Sequence, residues 1–507
     1  MLYEKIKEWI AVHWKECVCL ICSCILAFIF YGIYAYPHYA TDTYKIVNTI
    51  KFSPEMIWND YTVPYIKVGR YTLGLMMYVL SFFGVNPLVN NIFSNSVSIL
   101  FFGISLFLVV WKINERYSKS KVQIIEIFIY TVPIFLNPLY TDWFQFPECV
   151  FYYSLGLMLM TREVLKICFE KMDIKSGIKS FLSLFIIFGI YQMLINIFAI
   201  LVVVFLLINW NENENKSWRV YIKRVLYTGI CYLVCSLSQI AIIKIVASGL
   251  RMNSDIKTNL FTVIRMQPVL WSMTTTGAFD LTLILATVII VGYLIFSVIK
   301  NKNIKNYYIL AIIGGTIAIC VFMFSTHILA EPWLSQRTTV MLYAFPSFFL
   351  LIAFVVNKKN IHYNLAKVIT IALMLSLIGN YMYRANNIAI GMQKTNLADK
   401  IIVQQVMQKI NEYESEKGIE IRKISFKNDK YISWSYPDVF CMFDLNVRAW
   451  AVDWARANMF RLYSGRYFEE VPMKEEVYSK YFQDKNWDIF QEAQIQIIDD
   501  VAYIMVY

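Results

Sequence analysis

Charge is scarce in this chain. Only 16% of its 507 residues are charged, whereas 58% are hydrophobic and the mean hydropathy is +0.50. Soluble domains carry about 25% charged residues. That balance excludes a soluble enzyme and a disordered scaffold. Proline and glycine are also few, at 12 and 18, which excludes a fibrous or low-complexity chain. No internal repeat is visible, and many transporters are built from repeats. Histidine is rarest, and His13, His38, His327 and His362 read as lying outside apolar cores. A membrane-embedded catalytic histidine is therefore not expected. The C-terminal region holds only Cys441, so it cannot close an internal disulfide. Cys17, Cys19, Cys22 and Cys24 have metal-like spacing but sit in an apolar helix. They read as small packing side chains.

What the chain has in quantity is long apolar runs and unevenly placed positive charge. The net charge is +11. Residues 396–507 hold 14 basic and 18 acidic side chains; residues 1–395 hold 33 and 18. The basic residues sit in short loops between apolar runs, so the excess does not signal nucleic-acid binding. It divides the chain into a transmembrane domain, 1–390, and a polar domain, 391–507.

Eleven spans are expected, the first over 17–34 and the last over 365–383. The apolar stretch 180–209 is roughly 45 Å long as one helix, too long for a hydrocarbon core of roughly 30 Å. It is therefore split at Tyr191-Gln192. With the N-terminus cytoplasmic, 22 of the 33 basic residues of the membrane part then face the cytoplasm. This topology puts the C-terminal domain outside the cytoplasm. Residues 71–85 are apolar but too short to cross and read as a re-entrant or interfacial helix. The longer loops fall on the outer face, where function is expected. In the C-terminal domain, 397–413 and 449–462 have helical periodicity and 419–426 alternates as a strand. Residues 495–498 and 501–506 read as a hairpin around Asp499-Asp500.

The candidate residues gather in the outer loops. Asp42 follows the first span by a few residues, and a carboxylate in partly desolvated surroundings suits a general base. Asp60 lies further along that loop. Arg70 opens the short apolar helix, where a guanidinium suits a phosphate. The second loop holds Asp142 and Trp143, a carboxylate and an aromatic ring that suit a sugar, and ends in Glu148. Arg337 begins the tenth span. Each has a simpler reading as a loop residue, a helix-end acid or a snorkelling anchor. Together, carboxylates and arginines at one lipid boundary suit transfer from a lipid phosphate.

Asp42, the Gly69-Arg70 pair entering an apolar helix, the aromatic second loop ending in Glu148, and Arg337 before a late span together resemble the polytopic type II glucosyltransferases of O-antigen conversion. These are lipid-phosphate-sugar glycosyltransferases of GT-C type. Where such enzymes commonly show an adjacent acidic pair in the first loop, this chain has Thr41-Asp42. The resemblance implies a GT-C-like all-α polytopic membrane fold, a polyprenyl-phosphate hexose donor (glucose by family) and a cell-envelope glycan acceptor on the outer face. Asp42, Asp60 and Glu148 would be catalytic, Arg70 and Arg337 phosphate-binding, and Asp142 and Trp143 substrate-binding. Asp42 and Glu148 are also candidate ligands for a divalent metal. A polysaccharide polymerase and a transporter of lipid-linked glycans are the alternative readings.

Overall fold

In lipid, a backbone must satisfy its own hydrogen bonds, and the long apolar runs do so as helices. The computed structural model describes residues 2–507 apart from 85–87, 89–90, 118–120, 172, 213–217, 248–254, 273–279, 302–305, 330–333, 358–364 and 443. Position 85, the expected end of the short apolar helix, lies outside the described residues.

The helices in chain order are α1 (Leu2–Tyr31), α2 (Thr41–Phe52), α3 (Val63–Lys67), α4 (Tyr71–Phe82), α5 (Asn91–Tyr117), α6 (Lys121–Phe135), α7 (Thr141–Phe144), α8 (Pro147–Phe169) and α9 (Ile174–Phe188). They continue as α10 (Met193–Glu212), α11 (Trp218–Ala247), α12 (Ile256–Arg265), α13 (Gln267–Ser272), α14 (Leu281–Lys300), α15 (Asn306–Leu329), α16 (Phe345–Val356), α17 (Leu365–Lys417) and α18 (Asp453–Ser464). Among the described residues, eight helical segments are long and apolar enough to cross a membrane. The chain is an all-α polytopic membrane protein carrying one small sheet.

Helix α10 is apolar all round and lies at the centre, with 89% of its apolar window buried. Helices α11, α14 and α15 bury only 17%, 28% and 22% of theirs and form the periphery. Close crossings use small residues. A Cβ on Gly103 of α5 would lie 2.7 Å from Cys24 Cα of α1. The small Cys24 therefore sits at a backbone-to-backbone crossing. All ten cysteines are free thiols.

Two features position the loops that carry the candidate residues. Helices α9 and α10 are separate, with a break over 189–192, and the Gly189 carbonyl accepts from the Thr72 and Leu73 amides at 3.0 and 3.3 Å. This bond ties the start of α4 to the break. Asn137, after the Pro133-containing α6, holds the second loop. Its side chain donates to the Pro133 and Val340 carbonyls and accepts from the Leu139 amide.

Helix α17 differs from the sequence expectation. The last span and the helical segment 397–413 form one 53-residue helix, which runs through position 390 without a break. Its length of roughly 80 Å far exceeds a hydrocarbon core. After it, β1 (Lys423–Asn428), β2 (Glu469–Glu470), β3 (Ile495–Ile498) and β4 (Val501–Val506) form a sheet of order β2-β1-β4-β3. β1 runs parallel to β2 and β4, and β3 and β4 form an antiparallel hairpin. Asp499 turns it at φ 56°, a region an aspartate tolerates better than most residues. The core beneath includes Ile402, Val406, Trp450, Phe460 and Ile504, together with Tyr44 from α2. The C-terminal unit therefore packs on the first loop.

Candidate active site

The first loop enters the site through α2. Asp42 lies in the first turn of α2, where a carboxylate is favoured by the helix dipole. Its side chain is exposed, and Oδ1 accepts from Trp454 Nε1 at 2.9 Å. Thr43 faces inward. Its hydroxyl donates to Glu148 Oε2 at 2.9 Å and accepts from the Ala40 amide at 3.2 Å. Glu148, held in the first turn of α8 behind Pro147, is fully buried, and its Oε1 has no partner among the described residues. An unpartnered buried carboxylate oxygen is costly and calls for an explanation. The charges of Asp42 and Arg70 both lie near enough to act on Glu148.

Arg70 stands where the chain turns into α4. Gly69 makes that turn at φ +82°, and a Cβ there would press on Ile243 and Gln192. The Arg70 guanidinium lies 5.9, 5.8 and 5.0 Å from the ring centres of Tyr65, Tyr153 and Tyr191, and its Nη1 donates to the Tyr153 hydroxyl at 2.7 Å. Its Nε is buried and unpartnered, and no carboxylate pairs with it among the described residues. Rings of this kind stabilise a cation without cancelling its charge.

Arg337 sits on the other side of the same aromatic group. Tyr153 and Tyr191 stack at 4.3 Å, and Trp143 meets both edge-on at 5.6 Å. Trp143 is fully buried, and its Nε1 donates to the Arg337 carbonyl at 3.0 Å. Unlike Arg70, Arg337 is paired. Its Nη1 lies 3.2 Å from buried Asp142 and 2.7 Å from Asp444, and its amide donates to Asp142 Oδ2 at 2.9 Å. Asp142 therefore binds Arg337 twice and is fully buried beneath it.

The residues singled out from sequence thus fall into two linked sets. Asp42, Glu148 and Arg70 share one electrostatic neighbourhood. Asp142, Trp143 and Arg337 form a buried support beside it. Asp60 stands apart in the short helical segment Ile57–Thr62 that leads into α3, and its carboxylate has no hydrogen-bond or ion-pair partner among the described residues. The metal-ligand pairing of Asp42 and Glu148 gains no third ligand: no group of three His, Cys, Asp or Glu side chains that could hold an ion exists among the described residues. His38 departs from expectation, being fully buried between the Tyr36 and Phe144 carbonyls at 2.9 and 2.6 Å. It joins the first loop to the second.

Sequence reasoning missed Tyr153, Tyr191, Asp444 and Trp454. Tyr191 had a signal, since it marks the break between α9 and α10. Asp444 and Trp454 carry no local pattern that ties them to partners 107 and 412 positions away.

The GtrII glucosyl transferase family matches residues 54–357, three fifths of the chain. The chain belongs to that family. The match spans Asp60, Arg70, Asp142, Trp143, Glu148 and Arg337, and leaves Asp42, Asp444 and Trp454 outside. No curated protein matches the chain. Membership makes it a membrane glucosyltransferase, which moves a sugar from a donor to a glycan acceptor.

Proposed function

We propose that the protein transfers glucose from a polyprenyl-phosphate donor to a cell-envelope glycan on the outer face of the membrane. The observation that carries this reading is Arg70, a cation walled by aromatic rings and in no ion pair among the described residues, near a buried carboxylate and an exposed one. A lipid-linked phosphate would be the anion that this cation lacks. In this reading the lipid tail enters between helices and the phosphate rests on Arg70. Asp42 takes the proton from an acceptor hydroxyl. That oxygen forms a bond to the anomeric carbon as the bond from carbon to phosphate oxygen breaks. The phosphate leaves with the electron pair, and Arg70 stabilises its charge. In-line attack inverts the anomeric centre.

Glu148, through Thr43, fixes the turn that presents Asp42. Arg337 acts as the second cation by exchanging Asp444 for the phosphate, while Asp142 and Trp143 hold it in place. Asp60 is a reserve acid at the loop's edge. In the topology we propose, the N-terminus is cytoplasmic and residues 391–507 form an extracytoplasmic domain. The positive loops then face the cytoplasm, and α2 and α18 share the outer side. The test is transfer by membranes supplied with polyprenyl-phosphate glucose and envelope glycan. Activity that rises with the lipid donor and vanishes in Asp42→Asn supports the reading. Glycan chain elongation without added lipid donor would favour a polymerase.

A further inference from the structure

Trp454 is the most conspicuous side chain near Asp42 that the mechanism leaves unused. It lies in the first turn of α18 and is 62% exposed. Large apolar rings are normally left exposed singly and without further constraint. This one is fixed. Its Nε1 donates to Asp42 Oδ1 at 2.9 Å. Its helix is bolted to α2 by Asn48, whose side chain donates to the Asn458 carbonyl, and by the pairing of the Tyr44 and Tyr463 hydroxyls at 3.1 Å. An indole held by its edge on a carboxylate presents its ring to whatever approaches that carboxylate.

We infer that Trp454 is the platform for the acceptor sugar, so that the C-terminal unit supplies part of the acceptor subsite. The inference rests on Asp42 being the base. A hydroxyl giving its proton to Asp42 must come within about 3 Å of a carboxylate oxygen. Oδ1 already carries the indole N–H, and Oδ2 has no protein partner among the described residues. The exposed indole is fixed on the other oxygen of the same carboxylate, so a sugar whose hydroxyl reaches Oδ2 has the ring within contact range. Its C–H face then covers the indole, as aromatic walls of binding sites commonly are covered. This division of labour matches the chain's layout: the donor cation lies within the family-matched residues, and Trp454 lies beyond them.

The test uses the full-length protein in vesicles, with oligosaccharides released from the host's own envelope glycan as the probe. Trp454→Ala should raise the acceptor KM about tenfold and leave the donor KM unchanged, the size expected for one lost aromatic contact. Trp454→Phe keeps a ring and should stay within about threefold of wild type. Hydroxyl-radical footprinting gives a second readout that needs no turnover: the oligosaccharide should protect Trp454 from oxidation. Protection without any glucosyl transfer would sustain the acceptor platform while refuting the proposed reaction. Transfer with an unchanged acceptor KM in Trp454→Ala, a donor KM that rises equally, or an unprotected Trp454 would overturn the inference.

Discussion

Replacing Arg70 probes the proposed phosphate contact most sharply. The guanidinium has three tyrosine rings around it, one hydroxyl acceptor at 2.7 Å, and no described carboxylate partner. Its charge is therefore available to a substrate. Removing one group that stabilises developing charge costs about 2–4 kcal/mol of transition-state binding, or roughly 30- to 900-fold in kcat/KM. Arg70→Ala should fall in that range. Arg70→Lys keeps the charge but loses the planar fork that lies over the rings and grips a phosphate in two places. It should lose about half of the free energy, roughly 5- to 30-fold. Folded protein should be as abundant as wild type in both variants, because no buried ion pair is broken. The assay is glucosyl transfer in membranes over a range of lipid-donor concentrations. Wild-type rates in both variants would refute the phosphate assignment. Loss of folded protein in both would show that Arg70 serves the fold.

Other substitutions separate the remaining roles. Asp142→Ala strands Arg337 with half of its pairing and should cost about 3–5 kcal/mol, seen as a lower melting temperature of the purified protein. Asp444→Ala should leave stability nearly unchanged and lower the donor KM if Arg337 exchanges carboxylate for phosphate; an unchanged KM would confine Arg337 to structure. Gly189→Val would drive a side chain into the Tyr71 ring and the Thr72 hydroxyl, and should cost about 1–3 kcal/mol and mislocate Arg70, read as lost activity with membrane insertion retained. Burial pushes the Asp399 carboxyl, in the C-terminal core, up to about 7. Its folded-state pKa is raised, so its contribution to stability is complete below about pH 4 and is lost as pH rises through about 7. Thermal melts from pH 4 to 8 should show that slope, and Asp399→Asn should flatten it.

The membrane part was legible because lipid imposes a simple rule, and apolar length alone locates helices. The break at 189–192 followed from length, and Asp42, Glu148 and Arg70 followed from their positions at helix ends. Pairings between distant segments were not legible. Arg337 looked like a free cation, yet Asp142 and Asp444 claim it. Trp143 looked like a sugar platform, and the structure buries it under Arg337, while the exposed ring beside Asp42 is Trp454. The continuity of α17 was hidden because apolar periodicity stops near 383, although the polar sequence beyond it stays helical. Gly391 does not break that helix. It makes room for Asn446, whose side chain donates to the Ile388 and Phe440 carbonyls.

The most direct test of the central claim uses purified protein in lipid vesicles with envelope glycan and a single labelled donor, either polyprenyl-phosphate glucose or a nucleotide-linked glucose. The account predicts label transfer from the lipid donor only. It also predicts a loss of at least about 100-fold in Asp42→Asn at equal protein level. Transfer from the nucleotide donor without lipid phosphate, or full activity in Asp42→Asn, would contradict it.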